Sequence, residues 1–241
     1  QKTVQQQWDA YKAAGSTYLF DSVEFHMLQT YMGGDYKGNP ELIEAMCKAA
    51  PVTYDWLEDM GYIWSNVGQA SGALWQRSHQ TTAYAKGLGF FVAFNDRIAR
   101  ENLNIQVLYE VRADQILMEN GRAAGIHAYQ TIDGTEYTIK AKRGVLVGTG
   151  GFAANVEMRQ KYNTQWADLG PNVSTTNGVY ATGDGIEMAE AVGADLVDMG
   201  LIQMLAFAEP GSGRTDSGVG EATNLWVNKE GKRFVDETQR R

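Results

Sequence analysis

Apolar residues recur at intervals of three and four through roughly the first hundred positions, then at every second position over the next forty. The first pattern predicts helices over 4–14 and 18–31. In the second of these, Val23, Met27 and Leu28 share one face, and Gly33-Gly34 ends the run. Asn39-Pro40 predicts an N-cap followed by proline at the first helical position, opening a helix to about Ala49. Pro51 predicts a separate helix, with Trp56, Leu57 and Met60 inward and Gly61 as its C-cap. Residues 65–80, rich in Gly, Ser and Gln, predict a loop, and 83–101 a further helix.

The change of period marks strands. Residues 104–109 form one, and 112–118 and 122–130 come next, separated by Glu119-Asn120-Gly121. Residues 136–141 come after Asp133-Gly134, a strong hairpin-turn pair. The region therefore predicts a strand, a small antiparallel meander and an apolar strand at 143–147. A short helix is expected at 155–162. A second opens at Gly183-Asp184-Gly185 and runs to about Val192, with Ile186, Ala189 and Val192 on one face. No internal repeat interrupts the pattern.

Composition narrows the function classes. The 241 residues suffice for one large domain, or one domain and part of another, and 44% are apolar, enough for a real core. A net charge of −8 repels phosphate backbones and argues against nucleic-acid binding. Cys47 is the single cysteine, so an internal disulfide or a cysteine-based metal cage is excluded. The three histidines, His26, His79 and His127, lack close spacing, which argues against zinc. No apolar run is long enough to span a membrane. The chain starts without Met and stops at Gln239-Arg240-Arg241 with no closing element, so it reads as a piece of something longer.

Chemistry first shows at Gly148-Thr149-Gly150-Gly151-Phe152-Ala153, which fits G-x-G-x-x-A after the apolar run Val145-Leu146-Val147. A dinucleotide fingerprint needs a second strand ending in an acidic residue about 20 positions on. Asp168 stands near that distance, but Tyr162–Gly170 has no strand pattern. A structural reading lets the glycines turn a strand tightly beside another backbone. A third reading fits better: a glycine turn at the end of a parallel strand, approaching a cofactor held mainly elsewhere.

The same stretch resembles the ATGGF segment of flavoproteins in the fumarate reductase and urocanate reductase family. Three further segments resemble that family in order: Thr176-Asn177 through Ala181-Thr182-Gly183-Asp184-Gly185-Ile186, Asp198-Met199 through Ile202-Gln203, and Asn228–Glu237. Weaker similarity runs from Met32-Gly33-Gly34 to Asp55-Trp56-Leu57. The resemblance implies an α/β fold. Residues 1–197 would be part of a Rossmann-type FAD-binding domain with an antiparallel meander but without its N-terminal G-x-G-x-x-G unit. Residues 198–241 would begin an α+β capping domain. It also implies that the isolated segment is inactive and binds FAD poorly.

The resemblance further implies FAD as cofactor, a small unsaturated molecule as acceptor, and an electron-donor protein or haem domain as partner. Thr149, Gly150 and Gly151 would lie against FAD, Val111 would meet the adenine through its backbone, and Asp184 would bond the flavin side. From residue type alone, Asp184 at a helix start is an N-cap. The family's proton-donor arginine falls on Arg241, with Arg240 as the competing assignment; an Arg-Arg end also reads as a solvated tail. Glu221 takes the place of a relay or substrate-orienting carboxylate, or is a surface glutamate. Leu205 stands where the family has histidine, Gly220 where it has threonine, and Asn224 where it has arginine. With Leu205 and Phe207 the pocket reads as more apolar, which argues against fumarate. His79 could line the flavin pocket or sit at the edge of the core. The rival readings are a flavin-dependent dehydrogenase of ketosteroid type and a non-catalytic fold fragment.

Overall fold

Eleven elements succeed one another in the computed structural model of the chain, which describes residues 1–69, 75–85, 87–205 and 225–236. They are distributed over two units, one made by Gln1–Ile105 and one beginning at Gln106. The first holds α1 (Lys2–Ala13), α2 (Val23–Gly33), α3 (Pro40–Asp59), β1 (Asn66–Gly68), β2 (Ser78–Gln80) and α4 (Leu88–Arg100).

Local signals account for most of these. Ser22 caps α2 by accepting from the Phe25 N–H, and Asn39 caps α3 by accepting from Glu41 and Leu42. The expected break at Pro51 does not occur: α3 runs as one helix of 20 residues through it. Proline forfeits one backbone hydrogen bond and costs about 3 kcal/mol in a helix interior. Burial of Cys47 before it and of Leu57 and Met60 after it outweighs that, at about 1.5–3 kcal/mol for each large side chain. Trp56, expected inward, is half exposed instead. The core of this unit is Leu57, Met60, Tyr62 and Ala93, with Trp64, Phe90 and Phe94 against it. Tyr62 stacks on Phe90 at 4.7 Å between ring centroids. Within the expected loop at 65–80, β1 and β2 pair antiparallel. Arg77 then ties that hairpin to the start of α2, with a two-pronged bond to Asp21 at 2.7 and 2.8 Å.

The second unit carries the meander β3 (Val111–Glu119), β4 (Arg122–Gln130) and β5 (Glu136–Lys140), then α5 (Val156–Tyr162) and α6 (Asp184–Ala191). Asn120 and Gly121 both take positive φ, 52° and 75°, as a two-residue hairpin turn with right-handed strand twist requires. The strands expected at 104–109 and 143–147 belong to no sheet among the described residues, so no parallel pair is present there. Leu146 is 97% exposed, and Ile105, Val107 and Tyr109 are exposed as well. An apolar run can be extended without being laddered, because a strand exists only beside a partner. Much of the chain beyond the boundary expected at 197/198 lies outside the described residues.

Gly125 in β4 tests the meander. A Cβ there would collide with the backbone carbonyl of Ile139 on β5. Gly125→Ala is expected to destabilise the protein by about 1–3 kcal/mol through overpacking. Gly121→Ala, where the space is open, should cost only the left-handed backbone penalty of about 1–2 kcal/mol. Urea midpoints of the two variants check this: equal small losses would mean β4 and β5 are not in that register.

Candidate functional site

Two loops of the second unit meet where the glycine-rich segment enters α5. The Ala154 N–H donates to the Ala181 carbonyl at 2.9 Å, and the Gly183 N–H to the Gly151 carbonyl at 3.2 Å. The Asn155 side chain bridges them. Its Nδ2 donates to the Thr182 carbonyl at 2.9 Å, while its Oδ1 caps α5 by accepting from the Met158 N–H. The fit depends on missing side chains. Gly183 takes φ 86°, and a Cβ on it would meet Met158 Sδ; one on Gly185 would meet Thr149 Oγ1 and Val147 Cγ1.

Gly148, Gly150 and Gly151 behave oppositely. A Cβ built on any of them meets nothing within 4 Å. Packing therefore gives no reason for three glycines in four positions, and only Gly150, at φ 78°, has a backbone reason. A bare backbone edge facing open space suits close approach by a large flat or phosphate-bearing group. On this observation the residues fit FAD. Thr149, beside them, is exposed apart from its contact under Gly185.

Asp184 is not the N-cap of α6. That place belongs to Gly183, and Asp184 is the first helical residue. Its carboxylate accepts from Arg112 Nε at 2.7 Å and Nη2 at 2.9 Å, and from the Thr182 hydroxyl at 2.6 Å. Burial alone raises this carboxyl, but the Thr182 hydroxyl and the Arg112 guanidinium outweigh it and hold it below the usual carboxylate range. Val111 precedes Arg112 at the start of β3, opposite Gln130. Direct contacts thus link the start of β3 to Asp184, and α6 to Thr149 and Gly151. Arg112 was not among the expected site residues. Its signal in the sequence is only an arginine on the outward alternation of a strand, which does not point at Asp184.

Around the same loops lies a cavity of about 340 Å³, lined among others by Phe152, Ala153, Arg159, Thr176, Asn177 and Leu205. It joins the glycine-rich segment, the Thr-Asn segment and the 198–205 segment. Two bonds hold the last of these in place: Trp166 Nε1 to the Ile202 carbonyl at 2.7 Å, and Thr164 Oγ1 to the Gly200 carbonyl at 3.4 Å. Arg159 was also missed. Its signal is a charge at the i+3 position between Val156 and Tyr162, in a slot of α5 that should be apolar.

The fourth segment forms its own turn, with Val227 bridged to Arg233 and Asn228 Oδ1 accepting from the Glu230 and Lys232 N–H groups. Glu221 and Arg241 lie outside the described residues, as do Phe207 and Gly220. His79 lines a different cavity, of about 440 Å³ in the first unit, with His26, Cys47, Tyr54 and Arg77. Burial pushes the Cys47 thiol up, and burial followed by the Arg77 charge pushes His26 down.

The Arg112–Asp184 pair has a pH signature. The folded pKa of Asp184 is depressed, so its stabilisation is complete above the unfolded value of about 3.9 and is lost as pH falls through the folded value. Arg112 is about half exposed, which limits the effect to about 1 kcal/mol or less. Urea unfolding of Asp184→Asn against the parent should show that deficit at pH 6 and none near pH 2. A deficit independent of pH would mean packing, not charge, holds α6.

Comparison with known proteins places these observations. A family model described as an FAD binding domain matches residues 11–241. The chain is 39% identical over 235 residues to the NADH:acrylate oxidoreductase of Vibrio harveyi, covering 92% of this chain and 23% of that protein. It is 34% identical over 227 residues to the urocanate reductase of Eggerthella lenta, covering 92% of this chain and 36% of that protein. The open conformation of a flavocytochrome c3 fumarate reductase superposes with a TM-score of 0.73 at 25% identity, covering 95% of this chain and 39% of that one. A 3-ketosteroid Δ4-dehydrogenase from Rhodococcus jostii, at 22% identity and a TM-score of 0.66, shares the fold. The chain therefore spans well under half the length of these reductase relatives. With nearly its whole length matched, the chain belongs to the FAD binding domain family, whose fumarate and urocanate reductase members it resembles and whose cofactor is FAD.

Proposed function

We propose that the full-length protein reduces a C=C bond conjugated to a carboxylate or similar acceptor group. The observation that carries this reading is the cavity on which three motif segments converge, with Leu205 on its wall. The relatives support it: they are named for acrylate, urocanate and fumarate. In this reading residues 1–197 belong to the FAD domain and the capping domain begins at 198. The backbones at Val111, Thr149, Gly150 and Gly151, with Asp184, hold the cofactor.

FAD held by these residues would supply, in its reduced form, the hydride chemistry needed at the β-carbon of the acceptor. Arg241 gives the proton to the α-carbon, so that one hydride and one proton saturate the double bond. Free arginine, with a pKa above about 12, is a very poor acid. It serves only where water is excluded and a carboxylate returns the proton, the role proposed for Glu221. Ile202, Met204 and Leu205 on the cavity wall are apolar and serve that exclusion. Electrons arrive from a donor protein or haem domain. The acceptor is larger and more apolar than fumarate, because Leu205 offers no hydrogen bond to a second carboxylate.

Arg241→Lys in the full-length enzyme should lower alkene reduction by about 10²–10⁴-fold, the usual weight of general acid catalysis. Lysine keeps the charge but not the planar donor geometry. Flavin binding and flavin reduction by an artificial donor should survive, and Arg240→Lys should do much less. Equal, mild effects from both would place the proton source elsewhere.

Substrate choice gives an independent check. An unpaired buried carboxylate costs about 1–3 kcal/mol or more, so fumarate should show a kcat/KM at least about fivefold below that of a cinnamate-like acid. Efficient fumarate turnover contradicts the reading of Leu205.

A further inference from the structure

Arg159 is 6% exposed and lines the cavity of about 340 Å³. Its Nη1 donates to the Val173 carbonyl at 2.8 Å and its Nη2 to the Gly170 carbonyl at 3.3 Å. Its Nε is shut off from solvent and has no hydrogen-bond partner. Among the described residues no carboxylate is within ion-pair distance of it. The guanidinium is thus a buried positive charge held by two neutral carbonyls, with donor capacity left over.

That arrangement is costly unless something answers the charge. Burying an unpaired ion is strongly unfavourable, and neutral acceptors offset only part of that. Asp198, also on the cavity wall, is exposed. Around the guanidinium the wall is divided. Thr175, Thr176 and Asn177 supply polar groups, while Phe152, Ile202 and Leu205 supply apolar ones. Arg159 is the only cation on that wall among its described residues.

We propose that Arg159 is the specificity-determining cation of this cavity and receives the single carboxylate of a monoanionic acceptor, whose apolar body lies toward Ile202 and Leu205. The guanidinium carries five N–H donors, of which two bonds to Val173 and Gly170 leave several over, and among the described residues no second cation lines the wall. The proposal rests on the reductase reading for what happens to the ligand, but not for the ligand's binding.

The test separates the two. Binding of 3-phenylpropanoate, a saturated monocarboxylate that cannot be turned over, and of its neutral amide is measured by calorimetry on the full-length holoprotein. The parent should bind the acid at least tenfold more tightly than the amide. Arg159→Met should weaken the acid at least tenfold and leave the amide within about twofold; Arg159→Lys should recover most of the acid's affinity. If Arg159 only staples residues 170–173, Met weakens acid and amide alike and Lys recovers neither, which overturns the proposal. Absence of acid binding by the parent overturns it too. Succinate, with two carboxylates, should bind less tightly than 3-phenylpropanoate; the reverse order also counts against it. Reduction of cinnamate is scored separately: tight acid binding with no turnover sinks the reductase reading and leaves the role of Arg159 standing.

Discussion

The second unit hangs on one close approach, the clasp between residues 151–155 and 181–183. Two backbone hydrogen bonds and the Asn155 side chain make it, and the absence of a Cβ at Gly183 permits it. Only because these loops touch does α6 begin where Asp184 can reach Arg112 on β3. From α5, which starts at the clasp, Arg159 reaches the carbonyls of Gly170 and Val173 and fixes the loop that walls the cavity. A few short bonds thus set the positions of segments separated by up to 72 residues. The glycines divide by role. Those of the clasp are required by packing, and those of the 148–151 turn are left bare toward open space.

The fold was legible wherever the signal was local. The cap at Asn39 and the Asn120-Gly121 turn are decided by residues within four positions of one another, and each stands as the sequence implies. It was illegible where a distant partner decides. Pro51 looks like a boundary until the burial on either side of it is weighed. The apolar run at 143–147 demands a neighbouring strand, and its own residues do not say which. Trp56 has the right spacing for the core but lies at its edge, because the helical stripe is wider than the surface it covers.

The site divides in the same way. The glycine-rich turn and Asp184 stand out in the sequence, because residue type and order mark them. Arg112 and Arg159 could not be assigned. Their partners are a carboxylate 72 positions away and two backbone carbonyls that carry no sequence signature. Arg159 nonetheless left a trace: a charge in an apolar slot of a short helix.

The clasp also carries a chemical vulnerability. Met158 Sδ fills the space that the missing Cβ of Gly183 leaves, and the residue is 5% exposed. Its thioether is soft, apolar and well shielded in the intact protein. Oxidation to the sulfoxide adds a polar oxygen at this buried, tightly packed position. The reaction requires the loops to part first, and once it has happened they cannot close as before. Damage at this one sulfur would therefore record past opening of the site, and repair by a sulfoxide reductase would need the same opening.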